Sequence, residues 1–582
     1  MNHRFLLLFS SIVLTTVIFT GVKAQSDSSS NTSSETLFTG TFEKVQSSWN
    51  FWPFKKRLGD FSLSDKNPKS GEKCAHITIK NVAEENWHVQ LQKKNFPVKK
   101  NFIYRLSYWA RGENNAGNLE VVFVKGSPPW TYYSGKKSKV TPQWKQYEMI
   151  FTSPVTSSDI QMAFQCAHQK GDYFIDDVTF TEIGKLDIKE VASDWYEKAD
   201  ERIDQIRKGD FTLEISDKDG KPYSGTVEVS LARHDFEWGT CLAMFKGDDP
   251  KYKKLALKHF NCGVFENAFK WEEYEKVKGK PNVDELKRYL KWSKKNDFPI
   301  RGHALIWGTE NYGYNKHWAR RGDDDFLKEA IKERITRDVS RYKGQIPEYD
   351  VWNEPVHENS IFTRLGWGIL DSAFIWAHRA DPQAKLFINE YSIISGGDAK
   401  QYRDLVKGML QREVPVHGLG VQSHFSSRID PCEIASKLNY MAELDLPIKV
   451  TEFDMDIKAM GMSSQEMAED YAKMMRTAFS HPAIDGFYMW GFWDGGHWRP
   501  GAGIYDEKFN PKPAADSVYS LIHDVWTTKN TLPANETGEV NFRGFYGKYD
   551  LILKEGKKSR KLVVDFSKDS PRSQVLNLGK KK

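Results

Sequence analysis

The chain has 582 residues, 39% hydrophobic, 13% aromatic and 28% charged, with a formal net charge of +6. This is enough apolar material for roughly three to four packed domains and excludes wholesale disorder. The basic residues form no single arm, so nucleic acid is not expected as a partner; the 19 tryptophans are many, and flat apolar rings suit the faces of sugars.

Arg4, an apolar run from Phe5 to Val22 and then Lys23-Ala24-Gln25 read as a secretory signal peptide, residues 1–24, cut after Ala24. An uncleaved anchor is the alternative. No later stretch is apolar enough to span a bilayer, so no membrane partner is expected. The mature chain should be secreted and extracellular, or periplasmic or at the cell surface in a bacterium. Residues 25–35 form a Ser-rich linker. Asn31-Thr32-Ser33 and Asn535-Glu536-Thr537 fit the glycosylation pattern. Five cysteines are too few for a disulfide scaffold; Cys74 with Cys166 and Cys241 with Cys262 are candidate pairs, against free buried thiols.

Residues 36–185 alternate with period two in short runs, including Ala75–Ile79, Tyr104–Ala110, Leu119–Val124, Lys145–Phe151 and Tyr173–Phe180, which predicts a β-sandwich. Thr41-Phe42-Glu43 and Tyr173-Phe174-Ile175-Asp176-Asp177-Val178 resemble carbohydrate-binding modules of the family 4, 9 and 22 group. The resemblance implies a sugar-binding face, with Trp49, Trp52, Trp87, Trp130, Tyr132 and Tyr133 as candidates and Trp130 preferred because Pro128-Pro129 puts it on a loop. It also implies a structural calcium ion, for which Glu43 and Asp176 are the oxygen donors; a salt bridge or plain solvation is the alternative.

Residues 186–231 read as a connecting helix, Ile188–Gly209, and a hairpin of Phe211–Ile215 and Thr226–Leu231 around Asp217-Lys218-Asp219-Gly220. From 232 to 525 strand and helix patterns alternate eight times, which predicts a (β/α)8 barrel of the α/β class. The strand ends carry Glu266 and Asn267, with Lys270 beyond; then His303, with Trp307 after it; Asn353 and Glu354; Asn389, Glu390 and Tyr391; Gln422 and His424; Glu452; and Trp490. In this fold such positions form the site. Glu354 and Glu452 would face each other across the mouth, and two carboxyls so placed are what glycosidic cleavage needs: one protonated to serve the leaving oxygen, one ionised. His424 and Asp454 would keep Glu452 ionised.

Trp352-Asn353-Glu354-Pro355, Arg301–Trp307, Gln422-Ser423-His424, Thr451-Glu452-Phe453-Asp454 and Trp490-Gly491-Phe492 with Trp498 resemble the endo-β-1,4-xylanases of glycoside hydrolase family 10, along the whole barrel. The resemblance implies retention of configuration, with Glu354 as acid and then base, Glu452 as nucleophile, and their carboxyls ~5–5.5 Å apart. It implies catalytic support from His424, Asp454 and Asn353, and substrate contacts from Glu266, Asn267, Lys270, His303, Trp307, Gln422, Trp490 and Trp498, with Tyr391 walling the leaving-group side. The family often has a His directly after the strand-three tryptophan and a Gln soon after; here stand Gly308 and Glu310. The aromatic loop 309–321, with Tyr312, Tyr314, His317 and Trp318, would rebuild that wall, and Lys316, Arg320 and Arg321 would favour acidic xylan decorations. Residues 526–582 read as a small C-terminal β extension. Xylan or xylo-oligosaccharides are the expected partners, no cofactor is expected for catalysis, and the enzyme should be a monomer. A non-catalytic xylan-binding protein and a β-1,4-glucan hydrolase are the alternatives.

Overall fold

The computed structural model describes residues 35–579 except 45–48, 101, 129, 154, 186–191, 193, 244–248 and 311–312. The signal peptide, the linker up to residue 34, Asn31 and Tyr312 lie outside the described residues. Among the described residues no helix is long and apolar enough to cross a membrane.

The first region packs two antiparallel sheets face to face. One has the order Gly59–Ser64, Cys74–Ile79, Gly171–Lys185, Phe102–Glu113, Lys145–Thr152, with Glu35–Gly40 also on Gly171–Lys185. The other has the order Trp49–Pro53, Val89–Lys94, Ile160–Gln165, Asn118–Lys125, Tyr132–Lys139. Alternate residues such as Leu91, Leu106, Phe123, Phe164 and Phe180 meet between the sheets and bury one face of each.

The barrel strands are Glu237–Leu242, Cys262–Phe265, Ile300–Arg301 continued by Ile306–Trp307, Glu348–Asn353, Lys385–Glu390, Gly418–Phe425, Ile448–Met455 and Ile484–Met489, all parallel. The split third strand closes the ring: Ile300 pairs with Gly263 of the second, Gly302 and Ile306 with Tyr349 and Trp352 of the fourth. Helices cover the outside, and their ends follow from local chemistry. Val283–Lys295 begins with Asp284 and Glu285 and ends with Lys294 and Lys295, complementing the helix dipole; Ser464–Phe479 starts from a Ser463/Glu466 capping box. Inside the barrel runs a column of alternating charge, buried except at its Glu237 end. Lys449 Nζ lies 2.5 Å from Glu237 and 2.6 Å from Glu348, Arg301 bridges Glu348 and Asp350, and Asp350 accepts from His303 at 2.9 Å. Each charge meets its opposite, which is what makes burial tolerable.

The flanking segments differ from the sequence expectation. The connecting helix is Trp195–Arg207, and Lys208–Ser216 is already strand, so Gly209 ends nothing. The predicted hairpin does not form as such. The Asp217 turn exists, closed by a Ser216–Pro222 bridge, but its two strands part into different sheets. Lys208–Ser216 pairs with Glu539–Phe545 and, in parallel, with Ser573–Asn577; Thr226–His234 pairs with Lys529–Pro533 and Gly547–Glu555. The pieces before and after the barrel are therefore one β-sandwich with its own core of Phe211, Leu213, Val229, Phe542, Leu551 and Phe566. The cysteines are free thiols, and neither candidate pair is bridged. Cys262 stands opposite Gly239 and Cys241 opposite Val264, so register keeps the second pair apart.

Candidate active site

A cleft of about 650 Å3 opens at the carboxyl ends of the barrel strands. Glu354, just past the fourth strand, has a left-handed backbone (φ 58°), and its N–H donates to the Asn389 carbonyl at 2.7 Å. A non-glycine residue keeps such a conformation only where its surroundings hold it, and such positions gather at functional sites. Its carboxyl accepts from Trp307 Nε1 at 2.7 Å, Gln422 Nε2 at 2.8 Å and Asn353 Nδ2 at 3.0 Å. Burial raises its pKa to about 7; the Gln422 hydrogen bond opposes this, and the carboxylates of Glu452 and Glu390 add to it.

Glu452, on the seventh strand, accepts from Asn389 Nδ2 at 2.7 Å and faces His424 Nε2 at 3.3 Å. Burial alone would lower the pKa of His424, but Asp454, 2.8 Å from Nδ1, and Glu452 raise it to about 9. At neutral pH it is therefore an imidazolium, donating to both carboxylates. Asp454 is fully buried and also accepts from Trp498 Nε1 at 2.7 Å, and its charge with His424 holds its carboxyl below the usual range against the cost of burial. The two carboxyls are linked through two amides: Asn389 donates to Glu452 and, at 2.8 Å, to Asn353 Oδ1, while Asn353 donates to Glu354. One carboxyl is thus poised to carry a proton near neutrality while the other sits against a cation, the division of labour that acid–nucleophile chemistry requires.

The substrate-facing residues expected from sequence come together here. Lys270 Nζ lies 3.2 Å from Asn267 Oδ1, 5.0 Å from the Trp307 ring centre and 5.8 Å from that of Trp490. His303 meets Trp490 edge-on at 5.2 Å, Glu266 lines the same wall, and Trp498 stands half-exposed at the rim. Tyr391 lines the cleft from the end of the fifth strand. A second recess of about 950 Å3 joins through Glu266, Asn267, Lys270 and Trp307 and carries Glu272, Glu273 and Glu285. Asn389 is the residue that sequence reasoning left without a role. Its signal was present, an amide ending a barrel strand between two others.

Among the described residues of the 309–321 loop, Tyr314 and Trp318 do not rebuild a wall in the expected way. Tyr314 is buried in the core, and Trp318 packs edge-on to Trp271 while donating to the Glu275 carbonyl. Lys316 pairs with Glu272 at 2.7 Å and Arg320 with Glu310 at 3.3 Å, so both brace the loop. Gly308 has a steric reason: a Cβ there would lie 2.1 Å from the Glu358 carbonyl oxygen, and its own carbonyl accepts from Ser360 Oγ.

In the first region Trp49 is core, packed against Phe38, Phe42 and Phe164, and is removed from the sugar-facing candidates. Tyr133 leans on the same core. Trp52 and Trp87 stack at 6.1 Å, with Phe54 and His88 beside them, on one edge of the five-stranded sheet; exposed Tyr132 lies on the opposite edge strand, and Trp130 just before it. Between them, on the side away from the core, Gln90, Gln92 and Gln161 form an amide row: Gln161 donates to Gln90 at 3.2 Å and Asn50 to Gln92 at 3.3 Å. They are only 4–7% exposed, so the face is recessed. Glu43 and Asp176 meet at one loop: Asp176 accepts from the N–H groups of Lys69 and Ser70, Glu43 from that of Glu72. Burial raises Asp176 to about 6, and Glu43 Oε1 is buried without a hydrogen-bond partner. Among the described residues, no three His, Cys, Asp or Glu side chains converge as metal ligands, so any cation here draws on backbone oxygen too.

Residues 229–521, half of the chain, match glycosyl hydrolase family 10. The chain belongs to that family. Residues 34–171 match a carbohydrate binding domain. Among curated proteins, the anti-sigma-I factor RsgI6 of Acetivibrio thermocellus is 33% identical over 361 residues, 62% of this chain and 46% of that protein. Endo-1,4-beta-xylanase 1 of Arabidopsis thaliana is 31% identical over 65% of this chain and 40% of its own. Endo-1,4-beta-xylanase B of Thermotoga neapolitana is 27% identical over 48% of this chain and 85% of its own. The chain spans less than half the length of the first two. Within this family 10 barrel Glu354 and Glu452 stand in one hydrogen-bonded network.

Proposed function

We propose that this chain is a secreted endo-1,4-β-xylanase that acts with retention and is held to its polymer by the N-terminal module. The carrying observation is the split between the carboxyls: Glu354 buried and shifted to about 7, Glu452 against the His424 imidazolium. Glu354 protonates the leaving glycosidic oxygen while Glu452 attacks the anomeric carbon and forms a glycosyl ester. Glu354, now ionised, takes a proton from water, which attacks the same carbon and releases Glu452. Xylan as the substrate is supported by the family and by relatives named xylanases. The apolar run Phe5–Val22 supports export, which N-terminal sequencing of the mature protein tests.

The test of mechanism is a 2-fluoro-xylobioside with a good leaving group. A stable adduct on a Glu452 peptide is expected, and an inverting or non-catalytic barrel gives none. Product analysis on xylan, mixed-linkage glucan and cellulose then separates xylan from β-1,4-glucan cleavage. In the module, the recessed amide row between aromatic edges supports binding of a single sugar chain, with stacking and amide hydrogen bonds sharing the work. The orphaned Glu43 oxygen and the adjacent Asp176 carboxyl support a calcium ion there, a hard cation suited to oxygen. Added calcium should raise the melting temperature of the protein and have no such effect on Glu43→Gln.

A further inference from the structure

We propose that His357 is a positioning residue for the leaving-group side of the cleft: it braces the Tyr391 ring and, through Glu390, ties the turn after Glu354 to the fifth strand. The inference rests on the glycosidase reading above and adds a residue that reading does not use.

Glu390 is fully buried one position before Tyr391 and acts on Glu354 through its charge, not through a hydrogen bond. Its carboxylate collects three donors. Val356 N–H at 2.8 Å and His357 Nδ1 at 2.9 Å come from the turn that begins at Glu354; Tyr391 N–H at 2.9 Å comes from its own strand end. The other ring nitrogen of His357 lies 3.2 Å from Asp398 Oδ2, at the start of the helix Ala399–Gln411. Burial lowers the pKa of His357, but the two carboxyls flanking the ring outweigh it and favour the doubly protonated, charged form that donates from both nitrogens. That cationic ring lies flat on Tyr391, 4.0 Å between centroids and 20° between planes. A charged ring against an aromatic face adds attraction to packing. On the other side, Glu358 N–H donates to the Glu354 carbonyl at 2.8 Å, so the turn holding His357 also holds the strained backbone of the acid. One imidazole therefore connects three loops, and its reach ends at the ring that a departing sugar meets.

Such a role differs from general support in which substrates it affects. An aryl β-xylobioside places no sugar against Tyr391, whereas xylohexaose does. In the full-length protein, His357→Gln and Tyr391→Ala should each lower kcat/KM for xylohexaose relative to the aryl glycoside by about tenfold, mainly through KM. The double variant should lose no more than the larger single loss, because both act through one ring. Equal proportional losses on both substrates would reduce His357 to structural support and overturn the proposal, as would an unchanged ratio or additive losses. If His357→Gln does not fold, Asp398→Asn removes only the outer partner; it should give the same split in smaller measure, and an unchanged ratio there overturns the proposal equally. Wild-type protein inactive on both substrates refutes the reading of the cleft itself, a result distinct from either of these.

Discussion

At the barrel mouth the polar groups facing the cleft stand at the ends of buried strands, whereas in the N-terminal module they stand in mid-strand on an open sheet face. The difference in placement goes with a difference in charge. Behind the barrel site lies the column from Glu237 to His303, so Glu452 and Asp454 sit among countercharges and donors. Behind the amide row lies only an apolar core, where an unpaired charge would be costly, and Gln90, Gln92 and Gln161 are neutral. Neutral amides have no pKa to tune; the row can bind but cannot move protons. On the proposed function, two surfaces in one chain thus divide holding from cutting.

The sharpest way to break this division is to remove one half. Glu452→Ala should lower hydrolysis by on the order of 10^4-fold or more while retention on insoluble xylan stays as in wild type. Conversely, Trp52→Ala combined with Gln90→Ala should weaken that retention by about ten- to a hundredfold, a loss of ~1.4–2.8 kcal/mol, with soluble oligosaccharides still cleaved within about twofold. Parallel losses in both assays would erase the distinction.

The pH responses sharpen it further. The alkaline limb of kcat/KM should fall near 7, where Glu354 loses its proton, and Gln422→Leu should move it higher because that hydrogen bond favours the ionised form. The same shift acts on stability. A carboxyl whose folded pKa stands above its ordinary 4.5 does not destabilise the fold while both states are protonated, and does so increasingly as pH rises to about 7. Glu354→Gln should therefore stabilise the protein by on the order of 2 kcal/mol at pH 8 and by nothing measurable below pH 4, as thermal melts at both values would show. Retention by the module, whose amide row does not titrate, should vary much less than hydrolysis over the same range. The smallest effect is local: Gly308→Ala should destabilise the barrel by ~1–3 kcal/mol, because the Glu358 carbonyl must move, without changing retention.

The barrel site was legible in the sequence because a parallel barrel converts position along the chain into position in space. A polar residue ending one strand says little; several ending successive strands must face one another. Glu390 stood among the strand ends, but its partnership with His357 escaped because the two meet one layer behind the cleft, where neither strand periodicity nor a carboxyl pair marks the contact. The amide row escaped for another reason. Gln90 and Gln92 alternate with buried Val89 and Leu91 as any solvent face would, and only the curvature of the folded sheet makes them recessed. Trp49 was placed with the sugar-facing aromatics because alternation does not reveal which side of an edge strand looks inward. Local pattern also found the strands on either side of the barrel but not their partners, since pairing across hundreds of residues leaves no local trace.

That last pairing governs how the protein is made. Glu214 and Ser573, which share a hydrogen bond, lie 359 residues apart, with the whole barrel between them. During synthesis Lys208–Ser216 emerges early and waits with both edges open, while the eight-stranded ring is translated and can close first. Only when Glu539–Phe545 and Ser573–Asn577 arrive are those edges covered. A ribosome that stalls, or a nonsense codon beyond the catalytic residues, would release a protein with an intact cleft and an uncovered strand ready to pair with its neighbours.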